Sequence, residues 1–149
     1  MALEKTLVLI KPDSIQRGLA GRLIARFEDK GLRLVGTRLL HMDAARAARL
    51  YEPHVGKPFY DGLVKYMTSG PIMALCVEGY DAIGQVRTLM GATDPSKAAP
   101  GTIRGDWGQR LDNNCVHGSD SLESAARELP IFFEAHELCD YEANFTRWV

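Results

Sequence analysis

What this chain has little of narrows its chemistry before any motif is read. Its 149 residues contain three cysteines, Cys76, Cys115 and Cys139, an odd number that gives no disulfide framework and fits a reducing compartment. Cys115 and His117, taken with His136 and Cys139, match no familiar zinc module. No stretch approaches the apolar length of a membrane span, and the N-terminus enters a strand pattern without the features of a secretory leader. The expectation is therefore a cytoplasmic protein with no membrane partner. Net charge is almost absent: 18 Lys+Arg against 19 Asp+Glu leave −1. That balance argues against a general polyanion binder, whose affinity comes from clustered cations, and no stable nucleic-acid complex is expected. Linkers rich in Pro, Gly and Ser, internal repeats and breaks in composition are also missing, so residues 1–149 read as a single domain, long enough for one well-buried core.

What is there reads as alternating short elements. Residues 7–10 and 72–77 are continuous apolar runs, which suits strands buried on both faces at the centre of a sheet. Leu19, Leu23, Ile24 and Phe27 make one helical stripe that stops at Gly31. Residues 32–40 return as a strand. Two short helical pieces follow, one capped by Asp43 and one over residues 59–67. A further amphipathic helix starts near Asp81, buries Ile83, Val86 and Met90 and carries Arg87 at its close. Residues 115–117 read as a short strand that turns sharply at Gly118. The capping-box spacing of Asp120 and Glu123, with Leu122, Ala125, Ala126 and Leu129 in helical period, then opens a helix at about residue 121. The order β-α-β-β-α-β predicts an α+β, ferredoxin-like βαββαβ sandwich: a four-stranded antiparallel sheet with helices on one face.

Chemistry concentrates around the run Asn114-Cys115-Val116-His117-Gly118-Ser119-Asp120. His117 lies just ahead of a helix N-terminus, whose free N–H groups favour anions such as phosphate. Upstream, residues 91–114 show no sustained periodicity, and a loop that long inside a compact domain is usually functional. With Arg87, it carries Thr93 and Arg104, groups suited to phosphate oxygens. Taken singly, each has a plainer reading: a lone histidine is usually a core or surface residue, most arginines are solvated, and Thr93-Asp94-Pro95 is a turn pattern. Lys11 could be the polar end of a strand and Phe59 a core anchor. Tyr51 could simply pack, and Glu128 could serve only the polar face of its helix.

Several such segments in one order resemble the nucleoside diphosphate kinase family: Thr6-Leu7-Val8-Leu9-Ile10-Lys11-Pro12-Asp13, Lys57-Pro58-Phe59-Tyr60, Thr68-Ser69-Gly70-Pro71, Gly101-Thr102-Ile103-Arg104-Gly105-Asp106 and His117-Gly118-Ser119-Asp120-Ser121. The resemblance implies ping-pong transfer of the γ-phosphate from a nucleoside triphosphate, mainly ATP, to a nucleoside diphosphate through a phosphohistidine at His117. It implies that Lys11 and Asn114 bond the sugar hydroxyls, with Lys11 close to the transferring phosphate. Arg87, Thr93 and Arg104 would hold the phosphates, and Phe59, with Leu111 opposite, would stack on the base. Glu128 and Ser119 would orient the imidazole, with Nδ1 as nucleophile; Tyr51 completes the set of matching positions. The implied cofactor is Mg²⁺ held through substrate phosphates, with no protein metal ligand. The implied assembly is a homo-oligomer, a hexamer favoured over a tetramer because Pro95 resembles a proline that supports trimer contacts. Ser14 stands where a smaller residue is usual, which is expected to alter the turn after Lys11. Two other classes stay open on sequence: a ferredoxin-like nucleic-acid-binding module, and a phosphohistidine carrier without nucleotide turnover.

Overall fold

In the computed structural model, which describes residues 3–149, the apolar runs become the two central strands of a four-stranded sheet. Strand β1 (Leu3–Ile10) pairs with β3 (Pro71–Tyr80). Strand β2 (Arg33–His41) flanks β3, and β4 (Val116–Gly118) flanks β1; every pairing is antiparallel and the order is β2-β3-β1-β4. Helices α1 (Pro12–Gln16) and α2 (Ala20–Asp29) lie between β1 and β2. Between β2 and β3 come α3 (Ala44–Leu50) and α4 (Tyr60–Met67). Helices α5 (Ala82–Met90) and α6 (Ile103–Trp107) precede β4, and α7 (Leu122–Phe132) follows it. This is the expected α+β, ferredoxin-like arrangement.

Side chains alternate across a strand, which explains the unbroken apolar run of β1. Leu7 and Leu9 enter one buried cluster with Ala47, Leu50, Met67 and Phe132, from α3, α4 and α7. Val8 and Ile10 enter a second with Leu23, Phe27, Val86 and Met90, from α2 and α5. The two crossover helices α2 and α5 thus share one face, as the repeat requires, but the expectation of helices on one face alone is corrected: the inserted pair α3–α4 and the following α7 cover the other. With both faces covered, no polar alternation is possible at the sheet centre. Among the described residues no helix is long and apolar enough to cross a membrane.

Several local expectations need correction. The helix after His117 is capped not by Asp120 but by Ser121, whose Oγ accepts from the Ser124 N–H at 3.0 Å. Asp120 instead accepts from Ser124 Oγ at 2.6 Å. Gly118 is the last residue of β4 and not a turn; a Cβ there would sit 2.6 Å from Met90 Sδ and 2.9 Å from Val86 Cγ1, so the glycine lets β4 approach α5. The span 91–114 is not structureless. It holds a 3-10 turn, Pro95–Lys97, capped by Asp94, and α6 capped by Thr102. Both elements are too short to show a period, and their starts are set by side-chain caps. Near the C-terminus Trp148 is 74% exposed, whereas Tyr141 anchors the tail by donating its hydroxyl to Leu34 O at 2.5 Å. The end of α7 carries Pro130, and the carbonyls of Ile131 and Phe132 accept from Arg46 Nε at 3.1 Å and Arg38 Nη1 at 3.0 Å. These arginines close a helix C-terminus whose carbonyls lack partners within the helix.

Candidate active site

The register of the sheet decides which way His117 faces. His117 is directly opposite Leu9, and facing residues of an antiparallel pair share a side of the sheet. The imidazole therefore lies on the face covered by α7. There Glu128, only 5% exposed, places Oε1 2.7 Å from His117 Nε2. The same oxygen accepts from Ser119 Oγ at 3.0 Å, and Arg127 Nη2 lies 3.7 Å from Glu128 Oε2. A carboxylate accepts and does not donate, so this contact assigns the proton of a neutral ring to Nε2 and leaves the Nδ1 lone pair unprotonated. Ser119 thus acts on Glu128 and not on the ring itself. Ser119 is fully buried on a backbone tied to Leu7 O at 3.1 Å, which makes the acceptor geometry rigid.

The residues before His117 are built around a strained kink. Cys115 has φ +74°, a left-handed conformation that costs a non-glycine residue roughly 1–2 kcal/mol. Its carbonyl is clamped by Lys11 N at 3.0 Å and by Ser14 Oγ at 2.9 Å. Ser14, expected only to alter a turn, is a brace for that kink. Arg104 donates from Nε to Asn114 O at 3.1 Å and from Nη2 to Val116 O at 2.6 Å, one carbonyl on each side, and from Nη1 to Gly91 O at 3.1 Å. Much of its fork is therefore committed to the main chain, and the guanidinium's remaining N–H groups are what it has for a ligand. Burial, followed by the neighbouring Arg87, lowers the Arg104 pKa to about 10.

Lys11 is buried and donates to Asn114 Oδ1 at 2.6 Å; Asn114 Nδ2 donates to Thr93 O at 3.1 Å. One chain of contacts thus joins the end of β1, the residue before the kink and the loop after α5. Burial first, then Arg104, brings the Lys11 pKa down from 10.5 to about 8, while Asp13 and Cys115 push it the other way. Arg87 is exposed and its Nη1 reaches Gly118 O at 3.4 Å. Thr93 contributes its carbonyl to this network, and its side chain is exposed.

The α3–α4 insert supplies the remaining candidates. Tyr51 is buried, and its hydroxyl has no hydrogen-bond partner among the described residues. Burial, with the Glu128 carboxylate as a lesser cause, holds that phenol above the ordinary tyrosine range. Phe59 is 52% exposed at the start of α4, with His54 edge-on at 5.3 Å and the Lys57 ammonium 5.8 Å from its ring. Phe59 is thus left half in water beside the Lys57 ammonium and is not the core anchor that its neighbourhood in sequence allowed. Leu111 is 55% exposed. Neither Phe59 nor Leu111 bonds to the His117 network. Three further residues were not singled out from sequence. Asp13 accepts a hydrogen bond from Tyr66. Arg127 donates to Arg49 O and Leu50 O, both at 3.0 Å, closing α3 beside Glu128. No local spacing reveals these contacts, because each joins residues from separate elements.

A sequence profile described as nucleoside diphosphate kinase matches residues 4–138. A nucleoside diphosphate kinase of Desulforamulus reducens is 48% identical over 147 residues, covering 99% of both chains. One from Pelotomaculum thermopropionicum is 50% identical, again with 99% of each chain covered. Among solved structures, a halophilic nucleoside diphosphate kinase from Halobacterium salinarum in complex with CDP superposes with a TM-score of 0.96 at 48% identity, covering 99% of this chain and 98% of that one. Identity at this level over the full length leaves one reading: the chain belongs to the nucleoside diphosphate kinase family and is a phosphotransferase.

Proposed function

We propose that His117 is the phosphoryl carrier in a ping-pong exchange between nucleoside triphosphates and diphosphates. The observation that carries this reading is the 2.7 Å contact between His117 Nε2 and Glu128. The Nδ1 lone pair attacks the γ-phosphorus, the bond from that phosphorus to the bridging oxygen breaks, and the diphosphate leaves with the electron pair. In the second half, a β-phosphate oxygen of the acceptor takes the group from Nδ1. Imidazole gains positive charge as the P–N bond forms, and Glu128, fixed by Ser119, opposes it. Splitting the transfer lets one site serve both nucleotides in turn, and phosphoryl transfer asks mainly for alignment and charge stabilisation.

Arg87, Thr93 and Arg104 are assigned to the phosphates, Lys11 and Asn114 to the sugar hydroxyls, with Lys11 also near the transferring group. Phe59 is assigned to the base, whose π-face any nucleoside offers, with Leu111 opposite. Tyr51 is assigned to the catalytic set with a buried hydroxyl that has no partner among the described residues and feels the Glu128 charge. The complex of the Halobacterium salinarum relative with CDP supports a diphosphate as one ligand. The donor set here is cationic, which suits phosphate oxygens, so Mg²⁺ fits as an ion carried on those oxygens, where it supplies further neutralisation of phosphate charge. Asp120, held below the usual carboxylate range chiefly by Ser124, is an acidic group within reach of Arg87. Residues 1–149 are read as one cytoplasmic domain acting as a homo-oligomer, hexamer before tetramer.

The test is to incubate the protein with γ-labelled ATP and no acceptor. Label should be retained in base, lost in acid and discharged by added diphosphate, and His117→Ala should take up none. Full nucleotide turnover by His117→Ala would overturn the assignment.

A further inference from the structure

Lys11 carries a cation that the proposed chemistry needs, yet the only hydrogen bond described for its ammonium is the one to Asn114. A flexible four-carbon stem with one such anchor is poorly fixed. Two neighbours supply the rest. The Tyr66 ring lies beneath the ammonium, 5.6 Å from Nζ to the centroid, within the range of a cation–π attraction. The Tyr66 hydroxyl donates to Asp13 Oδ1, and Asp13 Oδ2 is buried without a hydrogen-bond partner among the described residues. An uncompensated buried carboxylate oxygen is costly, and the Lys11 ammonium is the nearby cation that offsets that cost. Asp13 is the first of the groups that favour the charged form of Lys11.

We infer that Asp13 and Tyr66 form a positioning pair that holds the Lys11 side chain for phosphoryl transfer. Tyr66 belongs to α4, which also begins at the Phe59 platform. The pair therefore ties the base-binding insert to the segment after β1 that carries the lysine. Neither residue touches the reacting atoms; both act through Lys11. The groups that face this ammonium are Arg104, which opposes its charge, Asp13 and Cys115, which support it, Asn114, which bonds it, and the Tyr66 ring. Removing Asp13 leaves the burial and the Arg104 repulsion unopposed except by Cys115. The ammonium then loses its proton at lower pH.

This inference rests on the role given to Lys11 above, and the experiment separates the two. Single-turnover labelling of the protein by γ-labelled ATP is measured from pH 6 to 10 for wild type, Lys11→Ala, Asp13→Asn, Asp13→Glu and Tyr66→Phe. Asp13→Asn should move the alkaline fall in rate toward lower pH by about one pH unit, the effect expected of an opposite charge close by, and Asp13→Glu should restore much of it. Tyr66→Phe, which loses one hydroxyl and keeps the ring, should move it the same way by less. The double variant Asp13→Asn/Tyr66→Phe should be no worse than Asp13→Asn alone, because the two act as a unit. Lys11→Ala should be slow and lack that fall. If Lys11→Ala is slow while Tyr66→Phe and Asp13→Asn keep the wild-type profile, the positioning pair is refuted and the lysine assignment stands. If Lys11→Ala keeps the wild-type rate and profile, the lysine assignment itself fails. Should Asp13→Asn not fold, an unshifted profile in Tyr66→Phe alone refutes the pair.

Discussion

Replacing Glu128 by Gln isolates the charge that faces the imidazole. The amide keeps nearly the same volume at a position only 5% exposed, and its oxygen can still accept from His117 Nε2. The same amide oxygen can go on accepting from Ser119 Oγ. The ring therefore keeps its tautomer, and what is lost is the negative charge 2.7 Å from Nε2. A charge-assisted bond is worth about 1.5–3 kcal/mol against about 0.5–1.5 for a neutral one. The difference, about 1–2 kcal/mol, applies as the ring becomes cationic in transfer. At about 1.4 kcal/mol per tenfold, labelling of His117 should slow by roughly 5- to 30-fold. The assay is rapid-quench labelling from γ-labelled ATP near neutral pH, paired with a melting curve to show that the fold persists. A folded Glu128→Gln protein that labels at the wild-type rate would refute the claim that this carboxylate stabilises the developing charge.

Two further predictions concern stability. Lys11 titrates at about 8 in the fold against 10.5 for the free side chain, first because it is buried and then because Arg104 is near. Between those values the unfolded chain binds more protons, so stability from this site rises with pH across that window, and below it the charged form costs the fold roughly 3 kcal/mol. Lys11→Met removes that cost, less about 1 kcal/mol for the bond lost by Asn114; melting at pH 7 should rise by several degrees while phosphoryl transfer falls, and a melting temperature at or below wild type would contradict the accounting. Gly118→Ala pushes a methyl into Met90 and Val86, which should cost about 1–3 kcal/mol and shift the neighbouring His117. An unchanged denaturation midpoint would show that β4 and α5 are not in close contact.

The elements that could be read from sequence were those with enough residues to show a period. Val8 and Ile10 alternate with Leu7 and Leu9 between two cores, and the stripe of Leu19, Leu23 and Phe27 announced α2. Helical elements of three to five residues escaped. Thr102 and Asp94 start theirs through single side-chain caps, a signal no window of hydropathy detects. Gly118 was legible as a special position but for the wrong reason, since a glycine serves close packing as readily as a turn.

The chain order alone determined the order of the strands and the longer helices, the fold class and the family, because those depend on local periodicity and on motifs held in one order. It also named the histidine. Only the folded molecule decided which ring nitrogen is free, since that depends on Glu128 reaching across from α7. Only it decided that Arg104 spends donors on both sides of a left-handed Cys115, and that Asp13, Tyr66 and Lys11 meet. These contacts join residues far apart in the chain, and their energies exist only where burial removes competing water.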